Sequence, residues 1–524
     1  MKKITVLILV AVIGLALRVY NLDSPSIGYH DMRENEALSI AKEMSRSGNY
    51  ALKKVYFYNA FEDEPGIVRN KEIPLISYQT LLAWRVFGEN LWGPRLLNVA
   101  FGVLGVIAVY LIAAGLFPGF YIPAFCALLC AVLPVLTFFS RNLQPDIPAF
   151  FFMLLGNLFY LRFIKSGHKK YNLVLGGAAF AAAGIYQGNF LIGIFPFLFC
   201  FSADTYKNDP LKFLAALLVP YLAAGVMAGT LISGDPGPWH NLSLSGLPEI
   251  FSPGYWRKYG FAVWRYMSGE NFPPPFLALT GSGALLACFS HRGILERYLI
   301  GWMAALIPYA MIFSRELPQQ SYFQIPFAGF VCLSAGYFLF RLKAKARNVF
   351  IAVLALALTG VSIPLIFRSM EGMRSTVFMG LDVAGESLKA LTKPDERVFL
   401  YTHAQGNGIA RYAQRYMGWP ADLEDFKSKE EKFGIRYLCF YPIEYAHMLK
   451  TRDPAWFKYI EDNYRVKEVG FAQDVSQTVY MIARKGREEA DKGLLEGFDG
   501  KTRLRTIYRL FGRFVFFYTA SPND

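Results

Sequence analysis

Charge is scarce in this chain of 524 residues: Asp, Glu, Lys and Arg make up only 18% of it, against roughly a quarter in soluble globular proteins. With 54% hydrophobic residues, that deficit excludes a soluble multidomain protein, whose surface would need more charge. It also excludes intrinsic disorder, because so apolar a chain does not stay solvated. Cysteine is scarce too. Of six, Cys126, Cys130, Cys200, Cys288 and Cys332 lie in apolar stretches and only Cys439 lies outside them, which leaves no disulfide framework and no CxxC metal pattern. There is no internal repeat, no low-complexity tract and no DxD motif.

What the chain has is apolar length. Met1-Lys2-Lys3 precedes Ile4 to Leu17, and Arg18-Val19-Tyr20-Asn21 follows where a cleavable leader would show a small-x-small site, so the segment reads as an uncleaved first transmembrane helix. Further apolar stretches fall near 97–117, 120–139, 147–164, 172–187, 189–203, 212–232, 274–290, 298–314, 323–340 and 348–367. Each is close to the length that crosses a bilayer. The expectation is a polytopic α-helical membrane protein with about 11 spans, within residues 1–370.

The net charge of +14 is explained by topology rather than by nucleic acid. With the N-terminus cytoplasmic, the inner loops carry Lys165, Lys169 and Lys170, then Lys207 and Lys212, Arg292 and Arg297, and Arg341, Lys343, Lys345 and Arg347, while the short outer loops carry chiefly Arg141 and Arg315. This is the positive-inside pattern. It places two long loops, 22–90 and 233–272, outside together with everything after residue 368. Residues 371–490 are soluble-like: 397–401, 436–440 and 478–483 read as strands and 409–416, 422–433 and 454–463 as helices, predicting a small extracytoplasmic α/β domain. In the tail 491–524, residues 501–518 combine Lys501, Arg503, Arg505, Arg509 and Arg513 with Leu504, Tyr508, Leu510, Phe511, Phe514 and Phe516. That composition predicts a basic amphipathic helix over 501–518 lying in the membrane interface.

Two outer loops hold the residues that could carry chemistry. The first reads His30-Asp31-Met-Arg-Glu34-Asn-Glu36 before a helical pattern of Ala37, Ile40, Ala41 and Met44. Asp31 at the N-cap with Glu34 three residues on is a capping box. The same carboxylate, just outside the membrane, is also a candidate general base for an acceptor group. The second reads Arg141-Asn-Leu-Gln-Pro145-Asp146-Ile-Pro148, where Asp146 either opens a helix or joins Asp31 in one shared site. Tyr255, Trp256, Arg257 and Lys258 of the third loop suit an interfacial belt.

The order of these elements resembles the GT-C superfamily of glycosyltransferases. The nearest branch is the bacterial protein O-mannosyltransferase and lipid A aminoarabinose transferase group. The resemblance rests on Asp31 set ten residues before Ala41, on Glu72-Ile-Pro-Leu75, on Phe87-Gly88 with Arg95-Leu96, and on Arg141 to Asp146. It extends to Ser321-Tyr322-Phe323-Gln-Ile-Pro326 and to Ala410-Arg-Tyr412 through Gly418-Trp419. It implies a sugar donor on a polyprenyl phosphate, an acceptor that is a protein, lipid or glycan, and transfer at the outer face of a bacterial inner membrane. Asp31 would then activate the acceptor and Asp146 support the same site. Glu34, Lys71, Glu72, Arg141, Arg265, Arg315 and Tyr322 would bind substrate, with Arg95 a further candidate for the donor phosphate. Glu72-Ile73 stands where the group usually has Lys or His followed by Pro, so Lys71 would have to supply that cation. The Trp-Trp-Asp signature of oligosaccharyltransferases is absent, which argues against en bloc glycan transfer. No cofactor is implied; a divalent metal held by Asp31, Glu34 and Asp146 is the less favoured arrangement. A transporter or flippase is the rival reading, but it would place ionisable residues in the central spans, and these are nearly charge-free. A non-catalytic scaffold displaying the α/β domain would leave both aspartates as caps.

Overall fold

A computed structural model describes residues 2–57, 59–68, 73–165, 169–201, 209–227, 249–290, 293–343, 348–402, 405–473, 478–486, 494, 500–510 and 513–522. The chain forms two compact units. One comprises Met1–Leu22, Asn70–Ile76 and Trp92–Met373, and the other Asp23–Arg69, Ser77–Leu91 and Arg374–Asp524.

The first unit is helical. Within the described residues each apolar stretch read from the sequence folds as a helix or a broken helix, because a chain segment in hydrocarbon must satisfy its own backbone groups. Trp92–Leu116, Asp146–Lys165, Pro210–Met227 and Ser321–Leu342 are long and apolar enough to cross a membrane. Two stretches are interrupted where proline removes a donor. Residues 120–139 divide into Tyr121–Val132 and Pro134–Phe139, and 189–203 becomes a 3₁₀ segment, Gly188–Ile194, followed by Phe197–Cys200. Small residues let helices meet closely. A Cβ on Gly176 would stand 2.2 Å from the Tyr160 ring, so the helices Asp146–Lys165 and Lys170–Tyr186 pack over that glycine.

Arg18 ends the first helix and is wholly buried. Its Nη1 donates to the carbonyls of Gly14 (2.9 Å) and Ala131 (2.8 Å), and its Nε to Ser140 Oγ (3.1 Å). A buried guanidinium is tolerated only when satisfied in this way. A Cβ on Gly102 would lie 2.3 Å from Ser140 Oγ and 3.0 Å from Arg18 Nε, so this cross-link requires glycine there. The arginine thereby pins the segment that leads into Arg141 and Asp146.

The second unit is built on a seven-stranded sheet in the order β2-β1-β3-β5-β4-β7-β6. The strands are β1 (Val398–Tyr401), β2 (Met417–Gly418), β3 (Tyr437–Phe440), β4 (Tyr464–Ala472), β5 (Thr478–Lys485), β6 (Gly500–Leu510) and β7 (Arg513–Pro522). β1 runs parallel to β2 and β3, and the remaining pairs are antiparallel. Strand alternation splits the core into two faces. Val398, Leu400, Cys439, Tyr480 and Ile482 pack with Leu381, Leu388 and Ile409 on one side. Phe399, Leu438, Phe440 and Met481 pack with Phe426, Trp456 and Ile460 on the other.

Three features depart from the sequence reading. Residues 501–510 and 513–518 are not a helix but the paired strands β6 and β7, because the side chains alternate with period two: Tyr508, Leu510, Val515 and Phe517 are buried while Ile507, Arg509, Phe514 and Phe516 are exposed; Phe511 lies outside the described residues. Pairing with β4 makes this tail part of the sheet. The first long loop is not an appendage of the helical unit either. Ile27 and Tyr56 enter the first of the two cores, Phe61 packs against the second, and Gly28 bridges Val377. β4 and the helices Leu381–Leu391 and Glu444–Arg452 are further elements of this domain that the sequence reading passed over.

Candidate active site

Asp31 is the first residue of the helix Asp31–Ser47. It is not the N-cap. That position belongs to His30, which has φ 60° and makes no side-chain capping bond, a left-handed conformation uncommon for a residue with a side chain. The capping box is therefore not formed: Glu34 Oε2 accepts from Ser26 Oγ (2.6 Å) instead. The turn into the helix is held by the Asp31 N–H donating to the Gly28 carbonyl at 3.0 Å.

Asp31, Glu34 and Asn35 are all buried and sit in one hydrogen-bonded group. Asn35 Nδ2 donates to Asp31 Oδ2 (3.2 Å) and to the Ser26 carbonyl (3.0 Å), while Asn35 Oδ1 accepts from Arg411 Nε (2.7 Å). With its amide nitrogen turned to the carboxylate, Gln405 donates to Asp31 Oδ1 (3.0 Å) and Oδ2 (3.3 Å), the orientation that satisfies both partners. Arg411 lies 3.8 Å from the centroid of the Tyr412 ring, and the Tyr412 hydroxyl accepts from the Ser26 N–H (2.9 Å). Gln405 also borders a cavity of about 600 Å³ lined by Phe378, Met379, Thr402, Tyr441 and Tyr445 among others.

The electrostatics follow from this enclosure. Burial, and then the neighbouring Glu34 charge, hold the Asp31 carboxyl well above the usual carboxylate range; its own backbone N–H, Arg411 and the Met32 N–H pull the other way. A carboxylate kept basic in an enclosed site is suited to taking a proton from a hydroxyl or amine. Half-buried His30 is pushed down to about 3, first by burial and then by Arg33, so it is neutral near pH 7 and adds no cation beside Asp31. Among the described residues no group of three His, Cys, Asp or Glu side chains is placed to hold a metal.

The other sequence candidates lie in the helical unit or outside the described residues. Asp146 is wholly buried at the start of the helix Asp146–Lys165. The loop before it is fixed by Asn98, whose Nδ2 donates to the carbonyls of Asn142 (2.5 Å) and Gln144 (3.1 Å). Arg141 Nη2 donates to the Asn21 carbonyl and Arg95 Nη1 to the Leu22 carbonyl, both at 2.8 Å. Two guanidiniums read from the sequence as phosphate ligands thus tie down the turn that follows the first helix. Arg265 is exposed, with its guanidinium 4.9 Å from the Tyr266 ring. Exposed Arg315 pairs with Glu249 at 3.3 Å, and buried Tyr322 packs on Phe139 and Phe323. Lys71 and Glu72 lie outside the described residues. The sequence reading missed Ser26, Asn35, Gln405 and Arg411 as partners of the Asp31 group. Arg411 stood inside the segment Ala410-Arg-Tyr412 that carried the family resemblance, but nothing along the chain linked it to a residue 376 positions away.

Solved structures share this fold. The oligosaccharyltransferase of Archaeoglobus fulgidus, in a crystal structure with Zn and sulfate, is 16% identical; the match covers 91% of this chain and 72% of that one, with a TM-score of 0.58. The oligosaccharyltransferase AglB from the same organism, in complex with an inhibitory peptide and a dolichol-phosphate, gives 14% identity, 94% and 75% coverage and a TM-score of 0.58. ArnT from Cupriavidus metallidurans in the apo state gives 16%, 92% and 99%, and 0.54. More particularly, residues 65–228 match the family model of dolichyl-phosphate-mannose-protein mannosyltransferases. No curated protein matches the chain in a sequence search.

Proposed function

We propose that this protein is an integral membrane glycosyltransferase that moves a sugar from a polyprenyl-phosphate donor to an acceptor at the outer face of a bacterial inner membrane. The observation that carries the reading is the match of residues 65–228 to the dolichyl-phosphate-mannose-protein mannosyltransferase family. The dolichol-phosphate bound by AglB, in a protein of the same fold, supports a lipid-phosphate donor. About eleven spans, with the N-terminus cytoplasmic and the α/β unit outside, fit the distribution of basic residues.

In this mechanism Asp31 takes the proton from the acceptor nucleophile as that atom bonds to the anomeric carbon. The bond from that carbon to the phosphate oxygen breaks, and polyprenyl phosphate leaves with the bonding pair. Asn35 and Gln405 orient the carboxylate, and Arg411 tempers its basicity. The cavity beside Gln405 offers room for an acceptor. Asp146 is assigned a supporting role. Among Lys71, Glu72, Arg141, Arg265, Arg315 and Tyr322 we place the contacts to substrate, the cations meeting the donor phosphate, whose charge grows as it leaves.

Incubating purified protein with a panel of polyprenyl-phosphate sugars and measuring released polyprenyl phosphate tests the reading. Release is expected with one of them, and alanine at one or two of Lys71, Arg141, Arg265 and Arg315 is expected to weaken donor binding in a folded protein. Absence of release across the panel would overturn the assignment, and normal donor binding by all four variants would show the anion site to be elsewhere.

A further inference from the structure

The hairpin β6–β7 carries Lys501, Arg503, Arg505, Arg509 and Arg513 and no acidic residue between positions 500 and 522. Its pairing sorts the side chains. Tyr508, Val515 and Phe517 face the core of the unit. On the opposite face Ile507 stands across from Phe516, Arg509 from Phe514 and Leu504 from Tyr518. Phe514 is 60% exposed, Ile507 48% and Leu504 45%. The Arg509 guanidinium lies 5.6 Å from the Phe514 ring centroid, and Tyr518 stacks on Phe471 of the neighbouring strand β4, so the aromatic surface continues inward from the edge.

Protection of a sheet edge accounts for part of this. β6 is an edge strand, and basic side chains on an edge discourage pairing with other chains. That does not explain the exposed phenylalanines of β7, which lies inside the sheet between β4 and β6. Every charged side chain of the hairpin is basic, and Arg509 stands directly among the aromatics of the outer face. Aromatic and aliphatic side chains among cations of one sign are the composition that seats at the headgroup level of an anionic bilayer.

We propose that the outer face of β6–β7 binds an anionic lipid surface. Leu504, Ile507, Phe514 and Phe516 enter the boundary between headgroups and acyl chains and the Arg509 guanidinium beside Phe514 meets a lipid phosphate, while Arg503 and Arg513, exposed but paired with Thr519 and Leu510 of the other face, add attraction to the anionic surface. The site is independent of the Asp31 group, so it stands or falls apart from the proposed reaction.

The test uses the full chain in nanodiscs of phosphatidylcholine with or without phosphatidylglycerol. A spin label is placed at Phe514→Cys in a Cys288→Ala background, and power saturation compares its access to oxygen and to an aqueous nickel chelate. With phosphatidylglycerol, access is expected to shift from the nickel chelate towards oxygen, while a label at Lys458→Cys stays aqueous in both discs. The triple variant Arg503→Gln/Arg509→Gln/Arg513→Gln, which changes only exposed side chains, should lose the lipid dependence. A label at 514 that is aqueous in both discs overturns the proposal. So does one shielded from both reagents regardless of lipid, the result expected of contact with a second copy or another protein.

Discussion

Asp31→Asn separates a catalytic base from a merely structural carboxylate. The substitution keeps the size of the side chain and one carbonyl oxygen, but its new NH₂ group must face a donor, either Asn35 Nδ2 at 3.2 Å or Gln405 at 3.0–3.3 Å. Losing one such bond costs about 1 kcal/mol. Losing the interaction of an ionised first-turn carboxylate with the helix dipole costs about 0.3–1 kcal/mol more. Against this, the variant no longer buries an ionisable group whose charged form is disfavoured by its surroundings. The terms nearly cancel, so stability should change by no more than about 1 kcal/mol. Turnover should fall at least about 10²-fold, because an amide cannot accept the acceptor's proton; that is about 3 kcal/mol on the barrier. The sign of the pH effect is also fixed. A carboxyl raised on folding keeps its proton in the native state after the unfolded chain has lost its own, so its contribution to stability falls as pH rises from the ordinary Asp range through the raised value. Wild type should therefore lose stability relative to Asp31→Asn over that window and run parallel to it above. Polyprenyl phosphate release and denaturant melts of both proteins across the pH range provide the readouts. Full turnover in the Asn variant would refute the general-base role, whatever became of the glycosyltransferase assignment.

Arg411→Met removes the donor to Asn35 Oδ1 and the charge that opposes the upward shift of Asp31; we expect a loss of about 1–3 kcal/mol, with the rising limb of the pH–turnover profile moved to higher pH. An unmoved limb would place Arg411 in a structural role alone. Tyr508→Phe deletes the hydroxyl that donates to Asp382 Oδ1 and accepts from the Gly380 N–H, and urea melts should show about 1–3 kcal/mol lost; a neutral result would argue against residues 500–510 as a strand docked on the core. For topology, Cys439 is buried and should resist thiol reagents. Lys458→Cys in a Cys288→Ala background, at a side chain 74% exposed, should instead react with an impermeant reagent added to intact cells. Reaction from the cytoplasmic side alone would invert the proposed arrangement.

The sequence by itself determined the helical membrane unit and much of the α/β core. Apolar runs of bilayer length have one stable form in hydrocarbon, a helix, because their backbone groups have no other partner. The strands near 398–401, 437–440 and 478–485 are likewise compact apolar runs bounded by polar turns. It also singled out Asp31, since a carboxylate ahead of a helical pattern is a local signal, although the same signal suggested a cap that His30 occupies. Only the tertiary structure decided the rest. Whether 501–518 becomes helix or hairpin depends on β4 offering an edge to pair with, and amphipathic composition alone does not distinguish periods of 3.6 and two across a bulge between Leu504 and Thr506. The joining of the first loop to the α/β core, through Ile27 and Tyr56, is a packing event between segments more than 300 residues apart. The same holds for Arg411 and Gln405 on the Asp31 group: hydrogen bonds over such separations leave no periodicity or spacing in the chain, because they are set by which surfaces meet when the cores close.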